Sequence, residues 1–550
     1  MEEEQEQTST GLALSGGGHR ATIFCLGALL YFVDTGLNSS VWTISSVSGG
    51  SILNGYLGLL RTKFNRLTRE EFGDFASRLA SQIAGDPLRW KHTCLFTSIA
   101  LLLLAPLSTL LLSFALQTGI AVLVVVMSAL VGRKSGGTLW AWWGTWAYLS
   151  AISWAFLAAL TRLFCRYWLE GTTSWGAAAV TLLCAVAFTQ RSAVASLAFG
   201  ASVCRLARNT GAHTPRLEDL NAGVEHLICA TEMHSGQHVF FSRGFVYSPG
   251  IGVGQPGRLP LRAAIQASAN MPVAFPFRLL RTSRFRFGVW DGTRIKDGPY
   301  ATGMASDVGK IVNIPTWLRL CDGGVFDNLG VSWFLTARCR FKSIESQRCH
   351  MKNIITMGRL WQNLPERVRD VEEMIRVGES ASLALFSPSR VIVINGGKAP
   401  TWRNHVSSSV PGLREFFEAR EVAKVMYDNT QSERLCDLRA RFAAGNPPGA
   451  VIDMAEIGVE PRLEDCVGEV EKRRDRFLEQ VPWSRELIDD LDRLTGDNSA
   501  IPTTLRPLGA ERTADLLYHG YLQAMVSLHI KLGSPLLPRP ERSRFEAMIR

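Results

Sequence analysis

Three short stretches of this 550-residue chain hold residue types at spacings that could do chemistry. The first is Leu12-Ala13-Leu14-Ser15-Gly16-Gly17-Gly18-His19-Arg20-Ala21, an apolar run that enters three glycines. Glycines let backbone N–H groups turn toward one point, and a helix beginning near Ala21 adds its positive end. Such a loop suits a phosphate or the oxyanion of a tetrahedral acyl intermediate. The Gly-Lys-Ser/Thr ending of a nucleotide phosphate loop is missing, which weakens the first option. The second stretch is Thr43-Ile44-Ser45-Ser46-Val47-Ser48-Gly49-Gly50-Ser51, read as strand, sharp turn and helix (52–60) with Ser48 at the apex. A nucleophile elbow has the pattern G-x-S-x-G, whose glycines relieve crowding around a strained serine. Here Ser46 stands at the first glycine position, and Gly50 is in place. The third is Leu320-Cys321-Asp322-Gly323-Gly324-Val325-Phe326-Asp327-Asn328, which delivers Asp322 at the end of a buried strand. Each stretch alone is also compatible with an ordinary turn. Three together, each at the end of a strand, point to a built site.

The elements that must position these residues read as α/β. Residues 8–92 alternate short apolar strands with helices punctuated by glycine. From about 205 onward the same alternation returns. Ala222–Ser242 reads as two strands joined at Ser235-Gly236, and Leu259–Phe277 as a helix ending at Met271-Pro272. Trp317–Cys321 and Val391–Ile394 read as short buried strands of the kind parallel sheets use. Residues 400–500 are charged and helix-leaning, with a break at Asn446-Pro447-Pro448-Gly449.

Between these halves the composition changes. The chain as a whole is 47% hydrophobic and 20% charged, which excludes disordered, collagenous and coiled-coil classes. Yet residues 93–190 carry only five charges: Arg133, Lys134, Arg162, Arg166 and Glu170. Within them lie four apolar segments, 94–116, 120–131, 138–160 and 174–189. About 20 apolar residues span a bilayer, and Trp140, Trp142, Trp143 and Trp146 cluster where an interfacial belt would lie. The expected layout is therefore an α/β part over 1–92, a transmembrane helical insert over 93–204, the rest of the α/β part over 205–400, and a helical C-terminal region over 401–550 that offers a regulatory or partner surface. The formal charge of +10 suits an anionic membrane surface, and no Lys/Arg run is dense enough to argue for nucleic acid. Eleven scattered cysteines, odd in number and without CxxC, favour reduced thiols in a cytosolic setting. The acidic start Met1-Glu2-Glu3-Glu4 is no cleavable signal peptide.

The combination resembles the patatin-like phospholipases, acyl hydrolases that use a Ser–Asp dyad without histidine. The resemblance rests on SGGGHRA, SVSGG and DGGVFDN, with support from Ile228–Thr231, Ala263–Pro276 and Tyr518-His519-Gly520-Tyr521. It covers about 8–92 and 205–400, loosely 500–530, and not the apolar insert. It implies a three-layer α/β/α hydrolase in which Ser48 is the nucleophile and Asp322 the base. It further implies an oxyanion and substrate-binding loop of Gly16, Gly17, Gly18 and Arg20, with Gly49 contributing, and no cofactor. Ser46 and Ala21 depart from the family pattern, each replacing a glycine by a small residue. His19 invites a Ser-His-Asp alternative, whereas His519 and His405 lack motif context. No His/Cys/Asp/Glu group has metal-ligand spacing.

Ser48 precedes the insert and Asp322 follows it, so a shared site requires an even number of crossings. Two or four remain, and four apolar segments favour four. Arg89, Lys91, Arg133, Lys134, Arg191 and Arg205 place the catalytic halves in the cytosol by the positive-inside rule, although Arg162 and Arg166 pull the other way. The expected protein is a multi-pass membrane hydrolase of phospholipid or lysophospholipid esters, acting on the lipid of its own bilayer. The alternatives are a weakly catalytic membrane scaffold or regulated effector, and a neutral-lipid or thioester hydrolase with the same dyad. Head group, acyl position, protein partners and oligomeric state stay open.

Overall fold

The computed structural model describes residues 9–85, 87, 199–200, 202–205, 214–248, 252–254, 256–271, 277–285, 288–290, 295–297, 315–339, 388–397, 431–445, 447–457, 459 and 468–549. The four apolar segments of the expected insert and His405 lie outside these residues. Among the described residues, no helix is long and apolar enough to cross a membrane.

The described strands form one mixed sheet. Its parallel part has the order β12 (Gly449–Asp453), β11 (Arg390–Asn395), β1 (Thr10–Leu14), β2 (Val41–Val47) and β3 (Glu225–Glu232). Beyond β3 it continues antiparallel through β4 (Gln237–Phe241), β5 (Val246–Ser248), β6 (Gly252–Gly254), β8 (Gly288–Trp290) and β9 (Ile295–Asp297). A side ribbon of β7 (Arg278–Arg281) and β10 (Trp317–Asp322) joins β3 through β10. The expected hairpin over 222–242 is β3 and β4. Strand β10 departs from expectation, since it runs antiparallel to both neighbours. Alternation along a short strand shows which side chains face inward and not which way the strand runs, so its sequence carries no sign of polarity.

The helices are α1 (Gly18–Asp34), α2 (Gly49–Leu57), α3 (Arg69–Gly85), α4 (Leu261–Ser268), α5 (Gly324–Asp327), α6 (Ser332–Cys339), α7 (Glu469–Gln480), α8 (Ser484–Ser499), α9 (Ala510–Leu532) and α10 (Arg542–Ala547). Alternation along the strands sends Ala13, Val47, Val391, Val393 and Val451 into a core with Trp333 and Phe334 of α6 and Leu435 and Leu438 of helical residues 431–443. On the other face, α2 packs over β1 and β2: a Cβ at Gly50 would lie 2.8 Å from Leu14 Cβ, and Asn54 Nδ2 donates to Ile44 O at 3.1 Å. Helices thus cover both faces of the parallel part, the arrangement that hides such sheets from water. Helix α1 is mostly apolar beyond its first turns, and every residue from Gly18 to Val33 is buried.

Helix α9 crosses α1 at backbone contact. A Cβ at Gly27 would lie 2.2 Å from Leu517 O, and one at Gly520 would lie 2.1 Å from Phe24 O. Tyr-His-Gly-Tyr at 518–521 is therefore packing chemistry: Tyr521 Oη donates to Asp34 Oδ2 at 2.8 Å and its ring meets Tyr31 edge-on. Asp34 also takes Arg69 at 2.8 Å and Arg544 at 2.7 Å. The region beyond 401, read as a helical C-terminal region, also contains β12, hidden behind Pro447-Pro448, and it extends the main sheet.

The chain divides into two compact units, Met1–Ala80 with Val203–Thr504 and Glu511–Arg550, and Ser81–Ser202 with Leu505–Ala510. In the second, Gln82 Nε2 donates to Ser202 Oγ at 2.7 Å and Leu508 N–H to Ile83 O at 3.2 Å. The first holds the sheet and everything described next.

Candidate active site

One edge of β3 brings Ser48 and Asp322 together. Strand β2 pairs along it parallel and ends with Val47 opposite Cys229. Strand β10 approaches the same edge from the other direction and ends with Asp322 opposite Ala230. The two strands meet head-on, so the residue after β2 lies against the last residue of β10. The Ser48 hydroxyl faces the Asp322 carboxyl closely enough to favour its ionised form.

Ser48 is the one non-glycine residue with positive φ among the described residues, at φ 50° and ψ −113°. Such a conformation costs about 1–3 kcal/mol and persists where the surroundings enforce it. The enforcement is visible. Ser48 N–H donates to Ser268 Oγ at 2.9 Å, and Ser268 Oγ–H donates to Cys229 O at 2.6 Å. Ser51 and Ile52 return their N–H groups to Ser48 O at 3.0 and 3.3 Å, starting α2 directly at the turn. Ser46, which stands where the pattern has glycine, is fully buried with its hydroxyl satisfied. It donates to Leu227 O at 2.8 Å and accepts from Asn54 Nδ2 at 2.9 Å and Ser51 Oγ at 3.1 Å. The site accommodates this serine with bonds rather than strain.

Asp322 is buried, and burial lifts its carboxyl from an ordinary 3.8 to about 6, against the opposing pull of the Gly324 N–H and the Ser48 hydroxyl. The Gly324 bond is 2.8 Å. The backbone around it is pinned to the end of α4: Asp322 N–H donates to Asn270 O at 3.0 Å and Gly323 N–H to Ser268 O at 3.1 Å. A buried carboxyl of raised affinity for protons, in contact with a hydroxyl, is equipped to accept that hydroxyl's proton.

The glycine loop closes over Ser48. Helix α1 starts at Gly18, three residues earlier than expected, since Gly17 (φ 141°) and Gly18 (φ 64°) make the turn that a side chain would forbid. Gly16 is close-packed, its Cβ position lying 2.2 Å from Asn328 Oδ1 and 3.2 Å from Ser48 Cβ. Its N–H is taken by Asn328 O at 2.8 Å, so it is no free donor. Gly18 and Gly49 open α1 and α2, and the first N–H groups of a helix have no partner within it. The two helix starts touch, with the Cβ position of Gly49 2.1 Å from Gly18 O, and Thr22 Oγ1 donates to both Gly18 O and Gly49 O at 3.1 and 2.7 Å. Two positive helix ends thus converge beside the Ser48 turn.

Arg20 is fully buried and turns to the backbone, donating through Nε to Gly396 O at 3.1 Å and through Nη1 to Ile501 O. Burial lowers its pKa to about 10. Its observed contacts are those of a loop clamp. Two residues with no role in the sequence reading matter here: Ser268, which holds the elbow, and Asn328, which joins the loop to the aspartate turn and donates through Nδ2 to Gln431 Oε1 at 2.8 Å. Both lie inside stretches noted for the resemblance, but their bonds cross long sequence distances and leave no local signal. The second aspartate of DGGVFDN, Asp327, accepts Leu329 N–H at 3.0 Å and Ser332 N–H at 2.7 Å, and so shapes the turn. Among the histidines, His519 is packed edge-on to Phe24 and beside Asn498, and burial takes its pKa down to about 3. His19 is buried, with its N–H on Thr504 O at 2.8 Å. His238 uses one ring nitrogen on Ser332 Oγ and the other on Gly323 O. The comparison with protein-family models finds no match for this chain, and none of the curated proteins matches it.

Proposed function

We propose that this protein is a serine acyl hydrolase of the patatin-like, three-layer α/β/α kind, anchored by the apolar insert over 93–204 and acting on phospholipid or lysophospholipid esters. The observation that carries the reading is the strained, positive-φ Ser48 at the end of β2, set head-on against the buried Asp322 at the end of β10. Ser48 Oγ attacks the acyl carbonyl as its proton passes to Asp322. The oxyanion forms against the N–H groups of Gly17, Gly18 and Gly49 and the converging ends of α1 and α2. Collapse of this intermediate expels the alcohol of the lipid, which leaves with the proton from Asp322. Water then repeats the sequence on the acyl-enzyme and frees the fatty acid. The satisfied Ser46 hydroxyl supports an enzyme over a catalytically weak scaffold, because the departure from glycine leaves no disorder at the elbow.

Acyl release from phospholipid vesicles by wild type, Ser48→Ala and Asp322→Asn tests the dyad. Release by wild type alone is expected, and equal release by all three would overturn it. Phospholipid, lysophospholipid and triacylglycerol presented side by side then separate the substrate classes.

A further inference from the structure

Outside the site, the ribbon of β7 and β10 has a face that nothing in the proposed chemistry uses. Its register sets Trp317 opposite Arg281 and Arg319 opposite Leu279, and all four side chains are exposed. Leu318 and Leu280, on the opposite face, are buried. Leu279 is 52% exposed and Trp317 40%, two of the few large apolar side chains exposed among the described residues. Arg281 stacks over the Trp317 ring at 4.9 Å and Arg319 over Phe277 at 5.2 Å. A groove of about 570 Å³ runs between them, with Phe277, Leu279, Trp317 and Arg319 in its walls. Met233 and Met271 are also exposed, at 39% and 41%.

Among the described residues, the exposed charge of this face is of one sign. Arg262, Arg278, Arg281, Arg284 and Arg319 make no ion pair among the described residues. Arg262, Arg278 and Arg284 lie close enough for the like charges of the first and third to lower the second, after burial. Arg278 Nε is buried without a hydrogen-bond partner. The nearby carboxylate of Glu232 is turned into the β3–β4 turn, where it accepts the N–H groups of His234 and Ser235 at 3.0 and 2.7 Å.

We infer that the exposed β7–β10 face is a docking surface for an anionic phospholipid bilayer, its arginines meeting headgroup phosphates while Trp317 and Leu279 enter the interface. Charge complementarity selects this occupant: each basic side chain near an anionic leaflet contributes about 1 kcal/mol. Exposed Trp and Leu beside arginines suit a boundary that is apolar on one side and wet on the other. A nucleic acid would need ring faces for base stacking. Arg281 and Arg319 already occupy one face of each ring. The inference goes beyond the reaction at Ser48 and stands without it.

Hydroxyl-radical footprinting of the full chain tests it, in nanodiscs of phosphatidylcholine alone and in nanodiscs containing phosphatidylserine. Oxidation of Trp317 is expected to fall about threefold or more in the anionic discs, and to recover as salt is raised. The Arg281→Gln/Arg284→Gln/Arg319→Gln variant, its fold checked by thermal melting, is expected to lose the protection. Equal oxidation in both discs, protection insensitive to salt, or protection by a single-stranded oligonucleotide in place of the anionic discs would each overturn the inference. Should the variant fail to fold, the salt series on wild type still decides. Fluorophosphonate labelling of Ser48 in the same samples keeps the two proposals separable: lost labelling with intact protection removes the hydrolase and leaves the docking face.

Discussion

Ser48 N–H donates to the hydroxyl of Ser268 at 2.9 Å, so the elbow is held from outside its own strand and helix. Removing that hydroxyl strands the Ser48 N–H and the Cys229 carbonyl, both buried. Ser268→Ala is therefore expected to lower kcat by about 10- to 100-fold, the rate equivalent of roughly 1–3 kcal/mol for unsatisfied buried groups, with KM nearly unchanged. Steady-state kinetics on vesicles give the answer, and a rise in KM alone would contradict the assignment.

Strain at Ser48 makes a second expectation. Ser48→Ala and Ser48→Gly lose the same hydroxyl, but only glycine accepts φ 50° without penalty. The glycine variant is expected to be the more stable of the two by about 1 kcal/mol. Both should be inert to fluorophosphonate. Chemical denaturation compares them directly.

Asp322 links activity and stability to pH in opposite senses. As a base it must be ionised, so the rate should rise with pH through about 6. Its folded-state pKa lies above the ordinary 3.8, so between the two values the folded chain binds the proton more tightly than the unfolded one. Stability from this group is thus greatest at low pH, falls as pH rises from about 4 to about 6, and is flat above. The span is about 3 kcal/mol at full burial. Asp453 is also lifted to about 6, first by burial and next by Glu456, so wild type alone does not isolate the effect. The difference between wild type and Asp322→Asn does, and the asparagine variant should be the more stable at pH 7.

The α1–α9 crossing gives a prediction remote from chemistry. A methyl group on Gly520 would fall 2.1 Å from Phe24 O, a backbone atom that cannot rotate aside. Gly520→Ala should cost about 1–3 kcal/mol through overpacking, read as a lower Tm with the Ser48 labelling rate preserved in the folded fraction. Unchanged melting would mean that the helices slide apart freely.

What the sequence made legible was local. Glycine runs at 16–18 and 49–50 and the Asp-Gly-Gly turn announce themselves because φ restrictions act within a few residues. They sufficed to mark the three strand ends where Ser48, Asp322 and the loop stand. The direction of β10 was not legible, since side-chain alternation gives a strand's faces and not its direction, and β12 was hidden by the two prolines before it. Arg20 suited either fixing the loop or meeting a lipid phosphate; its burial against Gly396 and Ile501, which favours the first, depends on chain hundreds of residues away. Ser268 and Asn328 were invisible for the same reason.

The head-on meeting of β2 and β10 along β3 also makes the site a product of distant chain. Ser48 stands early in the sequence, whereas its proton acceptor Asp322, the Ser268 hydroxyl that holds its turn, and the Gly396, Ile501 and Thr504 carbonyls that hold the glycine loop all come later. A chain cut before residue 268 has the serine without its base and without the bond that holds its turn. Reactivity at Ser48 therefore reports the joining of both halves of the chain, and not the early strands alone.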